Sequence, residues 1–491
     1  MTTIAHQMTT IATRPKVSNG WLIGFIVTTG LLILFRGTVE SSIRGAAVVA
    51  CVVVVVSVAG VVRANPDRPI SAGSTYALLF GLFHAGLLIP TAIGTPVRLL
   101  NPRDEQWVSS PGFASAATLV AIAQCAFSVG YFIRHQVKGG VIDRIGPKNV
   151  LNPTEIVDGP GAVGISLLSV GLVIWSYNAL ISGVSIIGSS YGDFLTRTTD
   201  TNMPIAYMMI GFGLSVVSSS RHRSIRRWAL ALFALWALPA FTIGLRGEVI
   251  IPSAVFAVVA ARRRKIPLRL WMVLAAIGVL AAGSAVRVIR QFGLGSGDAA
   301  LKTFNPFDGI TELGYSIRPL TVVSNFHDRL GEPFVGIATY LAPFRRAILG
   351  RVLGGEVLSV PNDQSVFSGM IRQRVGTIGG SPAAEAYRAG GVLGMLCVMI
   401  LIGLLIAHLD SVSSTRLNDA AVGMSTFMLL LWVRNDFTPV PIEFAAMVLV
   451  LVSIWLFEQR HQSGSRTRQF DRAFQRSRAD HLTPRAKYHA G

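Results

Sequence analysis

Long apolar runs alternate with short polar connections along most of this chain. Runs at residues 21–35, 45–62, 75–93, 113–133, 161–181, 204–220, 228–244, 248–261, 270–286, 390–408, 418–433 and 439–457 read as twelve spanning helices. A hydrocarbon core of about 30 Å asks for roughly 20 apolar residues at the helical rise. The first and eighth runs are the shortest fits. Glycine and proline punctuate several runs, as bilayer helices tolerate. The pattern predicts an all-α, polytopic membrane protein of about 12 transmembrane helices. One connection, 287–389, is long and mostly polar, with short apolar pieces at 334–344 and 366–371. It is too weakly apolar to span and too long for a passive connector. Short helices, some lying in the interface, are expected there as a cap over the bundle.

Composition agrees with that reading. Only 14% of the 491 residues are charged, against about 25% in soluble domains. The net charge of +19 would point to nucleic acid in a soluble chain. In a membrane protein it points to anionic headgroups, so membrane lipids and not nucleic acid are the expected partners. Cys51, Cys125 and Cys397 each sit inside an apolar run and make neither a disulfide framework nor a metal-ligand spacing.

Charge also sets the orientation. Arg63 and Arg68, then Arg134, Lys138, Arg144 and Lys148, then Arg221, Arg223, Arg226 and Arg227, then Arg262 to Lys265 crowd alternate connections. The positive-inside bias makes these cytoplasmic, together with both termini. Arg14 and Lys16 before the first run resemble a signal peptide, but Phe35-Arg36-Gly37 is no small-residue cleavage site, so a retained helix is expected. The division that follows is a cytoplasmic N-terminus at 1–20, helices one to nine over 21–286, an external segment at 287–389, helices ten to twelve over 390–457, and a basic cytoplasmic tail at 458–491. Alternation places 36–44, 94–112, 182–203, 245–247, 287–389 and 434–438 outside.

The external segments nevertheless carry many arginines. Arginine that opposes the topology bias calls for an anionic ligand on that face. Gly244-Leu245-Arg246-Gly247-Glu248 is a tight break that presents Arg246 beside an acid, with glycines permitting the turn. Arg287 and Arg290 are one helical turn apart. Glu312, Tyr315 and Arg318 share one short stretch, and Arg434-Asn435-Asp436 forms the last outer turn. In Gly379-Gly380-Ser381-Pro382-Ala383-Ala384-Glu385-Ala386-Tyr387-Arg388, Ser381 and Pro382 read as a helix cap and first turn. A glycine approach, a helix N-terminus and nearby arginines make an anion site. Each feature alone also fits a snorkelling arginine or a local ion pair.

These motifs resemble the Wzy-type oligosaccharide repeat-unit polymerases of O-antigen and capsular polysaccharide. The resemblance rests on the many-helix topology, the Gly244 to Glu248 break, the late external loop, the Gly379 to Arg388 stretch and the Arg434 to Asp436 turn. Where similar sequences continue with an Asn-Phe-Gly-like run, this chain has Arg388-Ala389-Gly390. The resemblance implies a membrane glycosyltransferase of the GT-C-like type at the outer leaflet of the cytoplasmic membrane. It would transfer a growing glycan from undecaprenyl pyrophosphate to a new lipid-linked repeat unit, with a chain-length regulator and a flippase as the partners the resemblance implies.

The departing diphosphate needs cations, and guanidinium forks supply them without a metal. Arg246, Arg318 and Arg388 are the first candidates, followed by Arg287, Arg290 and Arg434. The acceptor hydroxyl needs a base or an orienting acceptor. Glu385 is preferred, with Glu248, Asp436, Glu312 and His327 as rivals; Tyr387 and Tyr315 are candidate substrate-binding residues. No Asp-x-Asp pair lies in the external segments, so neither metal nor cofactor is expected. An O-antigen ligase would share donor and fold, but His327 lies far along the chain from Glu385, which favours a polymerase. A flippase or secondary transporter would concentrate charge at mid-helix and show repeats. Here His84 is nearly alone at mid-helix.

Overall fold

The computed structural model describes residues 17–95, 105–137, 158–183, 201–264, 307–352, 363–376 and 378–460, with isolated positions between them. No strand occurs among the described residues. The chain runs through α1 (Val17–Leu34), α2 (Arg36–Glu40), α3 (Ile43–Ala64), α4 (Ala72–Ala85), α5 (Leu88–Ile93), α6 (Glu105–Val108) and α7 (Pro111–Val137). It continues through α8 (Gly159–Ile181), α9 (Met203–Ser218), α10 (Arg223–Ile243) and α11 (Arg246–Arg263). Four short helices follow: α12 (Asp308–Leu313), α13 (Arg318–Ser324), α14 (Ala338–Arg345) and α15 (Phe367–Val375). Then come α16 (Pro382–Ser411), α17 (Arg416–Trp432) and α18 (Val440–Arg460).

Among the described residues, five helices (α3, α7, α8, α16 and α18) are long and apolar enough to cross a bilayer. The chain is thus an all-helical, multi-pass membrane protein. The expected span at 270–286 falls largely outside the described residues, as do Arg287 and Arg290. Two expected boundaries move. The span expected at 75–93 is divided into α4 and α5, because Pro90 has no N–H to return to the Gly86 carbonyl. The residues from 307 to 317 lie directly against this break: a Cβ on Gly86 would come 2.5 Å from the Ile310 carbonyl, and one on Gly314 would come 2.0 Å from the Leu87 nitrogen. The helix expected from 390 begins at Pro382, and the expected start coincides with a kink at Gly390 and Gly391, where Gly391 has φ 62°. The Arg388 and Ala389 carbonyls there accept hydrogen bonds from Val335 N and Gly336 N, at 3.1 and 2.9 Å. The segment around Val335 thus takes over carbonyls at the kink.

α7 is the pillar of the bundle, with 94% of its apolar stretch buried. Alanines at 114, 116, 117, 121, 123 and 126 give it a narrow surface, and small residues let helix backbones approach in a bilayer. The closest approach is to α16: a Cβ on Gly130 would lie 2.1 Å from the Ile400 carbonyl, and one on Gly403 would lie 2.2 Å from that of Phe127. Polar contacts fix the α3 side, where Ser57 Oγ pairs with Ser128 Oγ at 2.6 Å and accepts from Gln124 Nε2 at 2.8 Å. A second, smaller core joins α8, α9 and α10 around Trp175 and Trp236, whose rings meet edge-on at 5.9 Å.

Aspartates hold one end of the bundle together. Asp410 of α16 accepts from Ala72 N, Gly73 N and Tyr131 Oη, so it caps α4 from another helix. Asp419 of α17 accepts from Arg262 and Arg263 of α11, both at 2.9 Å. Arg262 spends its remaining donors on the Leu409 and Val412 carbonyls. These pairs are buried, and a charge out of water is tolerated when its hydrogen-bonding capacity is filled.

The Gly130–Gly403 contact makes a direct prediction. Gly130→Val meets backbone, which cannot move aside as a flexible side chain could. It should cost about 3 kcal/mol and lower the thermal midpoint measured on detergent-solubilised protein. Gly24→Val, where nothing lies within 4 Å, should leave the midpoint nearly unchanged.

Candidate active site

The site is organised by the first turns of α16. Ser381 is extended at φ −167° and ψ 137° and caps the helix by accepting from Ala384 N. Its hydroxyl lies 2.7 Å from His84 Nε2, and the His84 Nδ1 is 3.0 Å from the Phe80 carbonyl. A carbonyl only accepts, so Nδ1 carries the proton and Nε2 accepts from Ser381. His84 therefore anchors the cap and has its polar atoms satisfied.

One turn on, Glu385 is 1% exposed. One carboxylate oxygen accepts from Thr339 Oγ1 at 3.2 Å. The other accepts from Trp432 Nε1 at 3.2 Å and Phe437 N at 2.8 Å. Glu385 thus binds α14, the end of α17 and the turn after it. Tyr340, next to Thr339, has its phenol raised above the usual range by burial and then by the Glu385 carboxylate. The glycine pair docks on the same turn. Gly380 N donates to the Arg434 carbonyl at 3.0 Å, and Gly379 has φ 78°. A Cβ on Gly380 would meet Asp436 N at 2.4 Å. Asp436 accepts from Ser368 N and Thr438 Oγ1.

The arginines stand around this core. Gly244 at φ 108° ends α10 in a left-handed turn, and α11 begins at Arg246. Arg246 is 3% exposed, donates to Glu312 at 2.5 Å and the Gly283 carbonyl at 2.9 Å, and lies over the Phe241 ring. Arg434 pairs with Glu248 at 3.4 Å and lies over the Phe83 ring at 5.4 Å. It passes so close to Gly247 that a Cβ there would be 1.5 Å from its guanidinium. Arg388 donates an Nη2–H to the Gln364 carbonyl. Its Nη1 is buried with no hydrogen-bond partner among the described residues.

A second group forms around Tyr387, on another side of the same turn. The Tyr387 hydroxyl donates to Asp328, which also accepts from Arg36 at 2.5 Å. Arg36 donates further to Ser115 and Glu40, at 2.7 and 2.6 Å. Burial works to lower the pKa of Arg36, but Glu40 and Tyr387 outweigh it and hold the guanidinium above its ordinary value. The His327 ring packs at a tilt against Phe334 at 4.7 Å and lies 6.3 Å from the Tyr387 ring. Its Nδ1 is 2.7 Å from the Glu332 carbonyl, so Nδ1 carries the proton and Nε2 keeps its lone pair.

Arg246 with Glu312, Arg434 with Glu248, and Glu385 and Asp436 thus form a shell around the 434–437 turn, while Arg388 lies near Glu385, Arg374, Glu332 and Asp363. Arg318 and Tyr315 are placed differently, both against Trp107, at 5.7 and 6.4 Å. Every rival carboxylate has internal donors, whereas His327 Nε2 has none among the described residues. Separation along the chain was a poor guide for His327, since it packs beside Tyr387. Arg36 and Asp328 escaped the sequence reading. Arg36 carries the same sequence signal as the other candidates, a cation on a connection expected to lie outside.

A family model described as O-antigen polysaccharide polymerase Wzy matches residues 21–461. Protein CapE of Staphylococcus aureus is 27% identical over 236 residues, which is 48% of this chain and 51% of that protein. The match thus spans about half of the relative's length. No solved structure matches.

Removing Glu385 should loosen the whole shell. Glu385→Ala strands three donors in a buried place and should cost at least about 3 kcal/mol, read as a fall in thermal midpoint. Glu385→Gln keeps one carbonyl acceptor and should lose less.

Proposed function

The chain belongs to the O-antigen polysaccharide polymerase Wzy family, and from that premise we propose that it polymerises repeat units carried on undecaprenyl pyrophosphate at the outer leaflet of the cytoplasmic membrane. In this reading the bundle has the expected twelve spans and GT-C-like character, with both termini cytoplasmic. The observation that supports it most is the Arg388 guanidinium, whose buried Nη1 has no hydrogen-bond partner among the described residues.

The reaction follows from the chemistry of the groups. The acceptor hydroxyl of a lipid-linked repeat unit attacks the anomeric carbon of the donor glycan. The bond from that carbon to the pyrophosphate oxygen breaks, and lipid pyrophosphate leaves. Arg388 meets the charge that grows on the leaving diphosphate, with Arg246 and Arg434 reinforcing it. The proton of the acceptor passes to His327 Nε2, held in the correct tautomer by the Glu332 carbonyl. Phe334 and Tyr387 offer flat faces to a sugar ring, and Asp328 and Arg36 offer hydrogen bonds at its edge. Glu385 and Asp436 hold the shell in place without touching the reacting atoms. Arg287 and Arg290 stay candidates for the diphosphate, and Arg318 and Tyr315 for its approach beside Trp107. A flippase would deliver both substrates, and a chain-length regulator would set when the product leaves.

The test is glycan chain length in a polysaccharide-producing host carrying Arg388→Ala, Arg246→Ala or His327→Ala. Single-repeat products should accumulate, and long chains should fall by roughly a hundredfold for the arginines and for the histidine. Unchanged long chains in both arginine variants would overturn the site. Loss of single repeats as well would point to a flippase. Normal polymer that fails to join its final acceptor would point to a ligase.

A further inference from the structure

Helix α14 turns its small and polar side inward. Thr339, Ala342 and Pro343 are buried against the bundle. The opposite face is apolar. Ile337, Leu341 and Phe344 recur at the spacing of a single helical face, and Ile348 follows just beyond the helix. Together with Phe334, which precedes the helix, these side chains are 47 to 69% exposed. A contiguous apolar stripe of this kind marks an interaction surface.

What covers the stripe follows from where the helix starts and ends. Val335 N and Gly336 N bond to carbonyls at the kink of α16, and a Cβ on Gly391 would come 2.9 Å from the Phe334 ring. Two residues further on, Leu393 opens the exposed apolar stripe of α16, which continues through Leu401 and Leu405. From there α14 crosses towards the turn between α17 and α18. Tyr340 meets Trp432 and Phe437 edge-on, at 6.4 and 5.3 Å. After that turn α18 begins its own exposed stripe at Ile442 and Phe444. Both α16 and α18 are long and apolar enough to span, so their stripes face acyl chains. The apolar face of α14 therefore adjoins lipid-facing surface at either end. Its eight residues rise only about 12 Å, too little to cross the hydrocarbon core. Polar groups begin where the stripe stops, since Arg345 at its border donates to Asp363 and Ser365.

We propose that α14 is an in-plane membrane helix, whose Ile337, Leu341 and Phe344 face inserts at the boundary of headgroups and acyl chains in the leaflet nearest the α16 turn. A helix with one apolar face, too short to span, lies in the interface in this way. The other face has a second task. Thr339 Oγ1 donates to Glu385 at 3.2 Å, so lipid on one side and Glu385 on the other hold the first turn of α16 at headgroup depth. That is the depth at which the phosphates of a lipid-linked ligand lie. The inference requires only that the chain spans a membrane and stands whatever reaction it performs.

Site-directed spin labelling tests it on the full-length protein in phospholipid nanodiscs. Cys51, Cys125 and Cys397 are replaced by alanine, and a single nitroxide is attached at Leu341→Cys, at Phe344→Cys or at Gln373→Cys. Gln373 lies in the exposed polar run Arg372 to Arg374 and serves as the water-facing comparison. Oxygen concentrates in hydrocarbon, whereas a soluble nickel chelate stays in water. The ratio of oxygen to nickel collision rates should be at least about threefold higher at 341 and 344 than at 373. Adding Ile337→Glu to the label at 341 should lower that ratio towards the value at 373, because a charge on a lipid-facing position is costly. An unchanged elution profile on size exclusion establishes that each variant is folded. Equal ratios at all three positions overturn the proposal, since the stripe would then face water. Exclusion of both reagents at 341 and 344 also overturns it, with spin–spin broadening identifying a second copy as the cover. Glycan chain length is not read, so either failure leaves the polymerase reading where it stands.

Discussion

The arrangement around α16 depends on one buried carboxylate. Glu385 sits at 1% exposure, where a polar group without partners costs several kcal/mol. Its three donors come from three separate segments: a hydroxyl from α14, an indole from the end of α17 and a backbone amide from the turn beyond. Satisfying Glu385 therefore forces those segments together. Once Phe437 N is fixed, the 434–436 turn is fixed, and its carbonyl meets Gly380 N. Arg434 is then carried across the bare face of Gly247 to Glu248, which registers α11 against α17.

The two ends of the bundle solve the burial of charge in opposite ways. At one end Asp158, Asp410 and Asp419 satisfy backbone amides and arginines in closed groups, so the pairs serve architecture. At the other end the pairing is incomplete. Glu312 and Glu248 pair with Arg246 and Arg434, but among the described residues Arg388 has a carbonyl as its hydrogen-bond partner and no ion pair. A closed group fixes helices, whereas an open one is preorganised for an anion from outside, because the cost of ordering the cation has already been met in folding.

Helical type was legible in the sequence because apolar periodicity acts locally. The Ser381 cap and the break at Gly244 were legible for the same reason, since each is set by the conformational preference of one or two residues. The division of 75–93 into two helices turned on Pro90, whose missing donor matters only once the chain from 307 to 317 lies against the gap. The partners of Glu385 could not be read, because they lie 46 to 52 positions away. His327 shows the limit most clearly. Sixty residues separate it from Tyr387 in sequence, yet their rings are 6.3 Å apart, because the chain between them loops out through α14 and α15 and returns.

That return explains why the kink in α16 sits where it does. Successive residues on a helix point about 100° apart, so Tyr387 and Arg388 face different groups from one turn. In the proposed reaction Arg388 addresses the leaving diphosphate and Tyr387 lines the acceptor side, so the spacing between the two substrates is set by a single helical turn. Gly390 and Gly391 then uncouple that turn from the long membrane segment behind it. The carbonyls freed at the kink are taken by Val335 and Gly336, next to Phe334 and eight residues after His327. The acceptor side is thus tied to the same turn as the anion side by backbone hydrogen bonds. A displacement of residues 307–352 would move both together, which preserves their relative geometry.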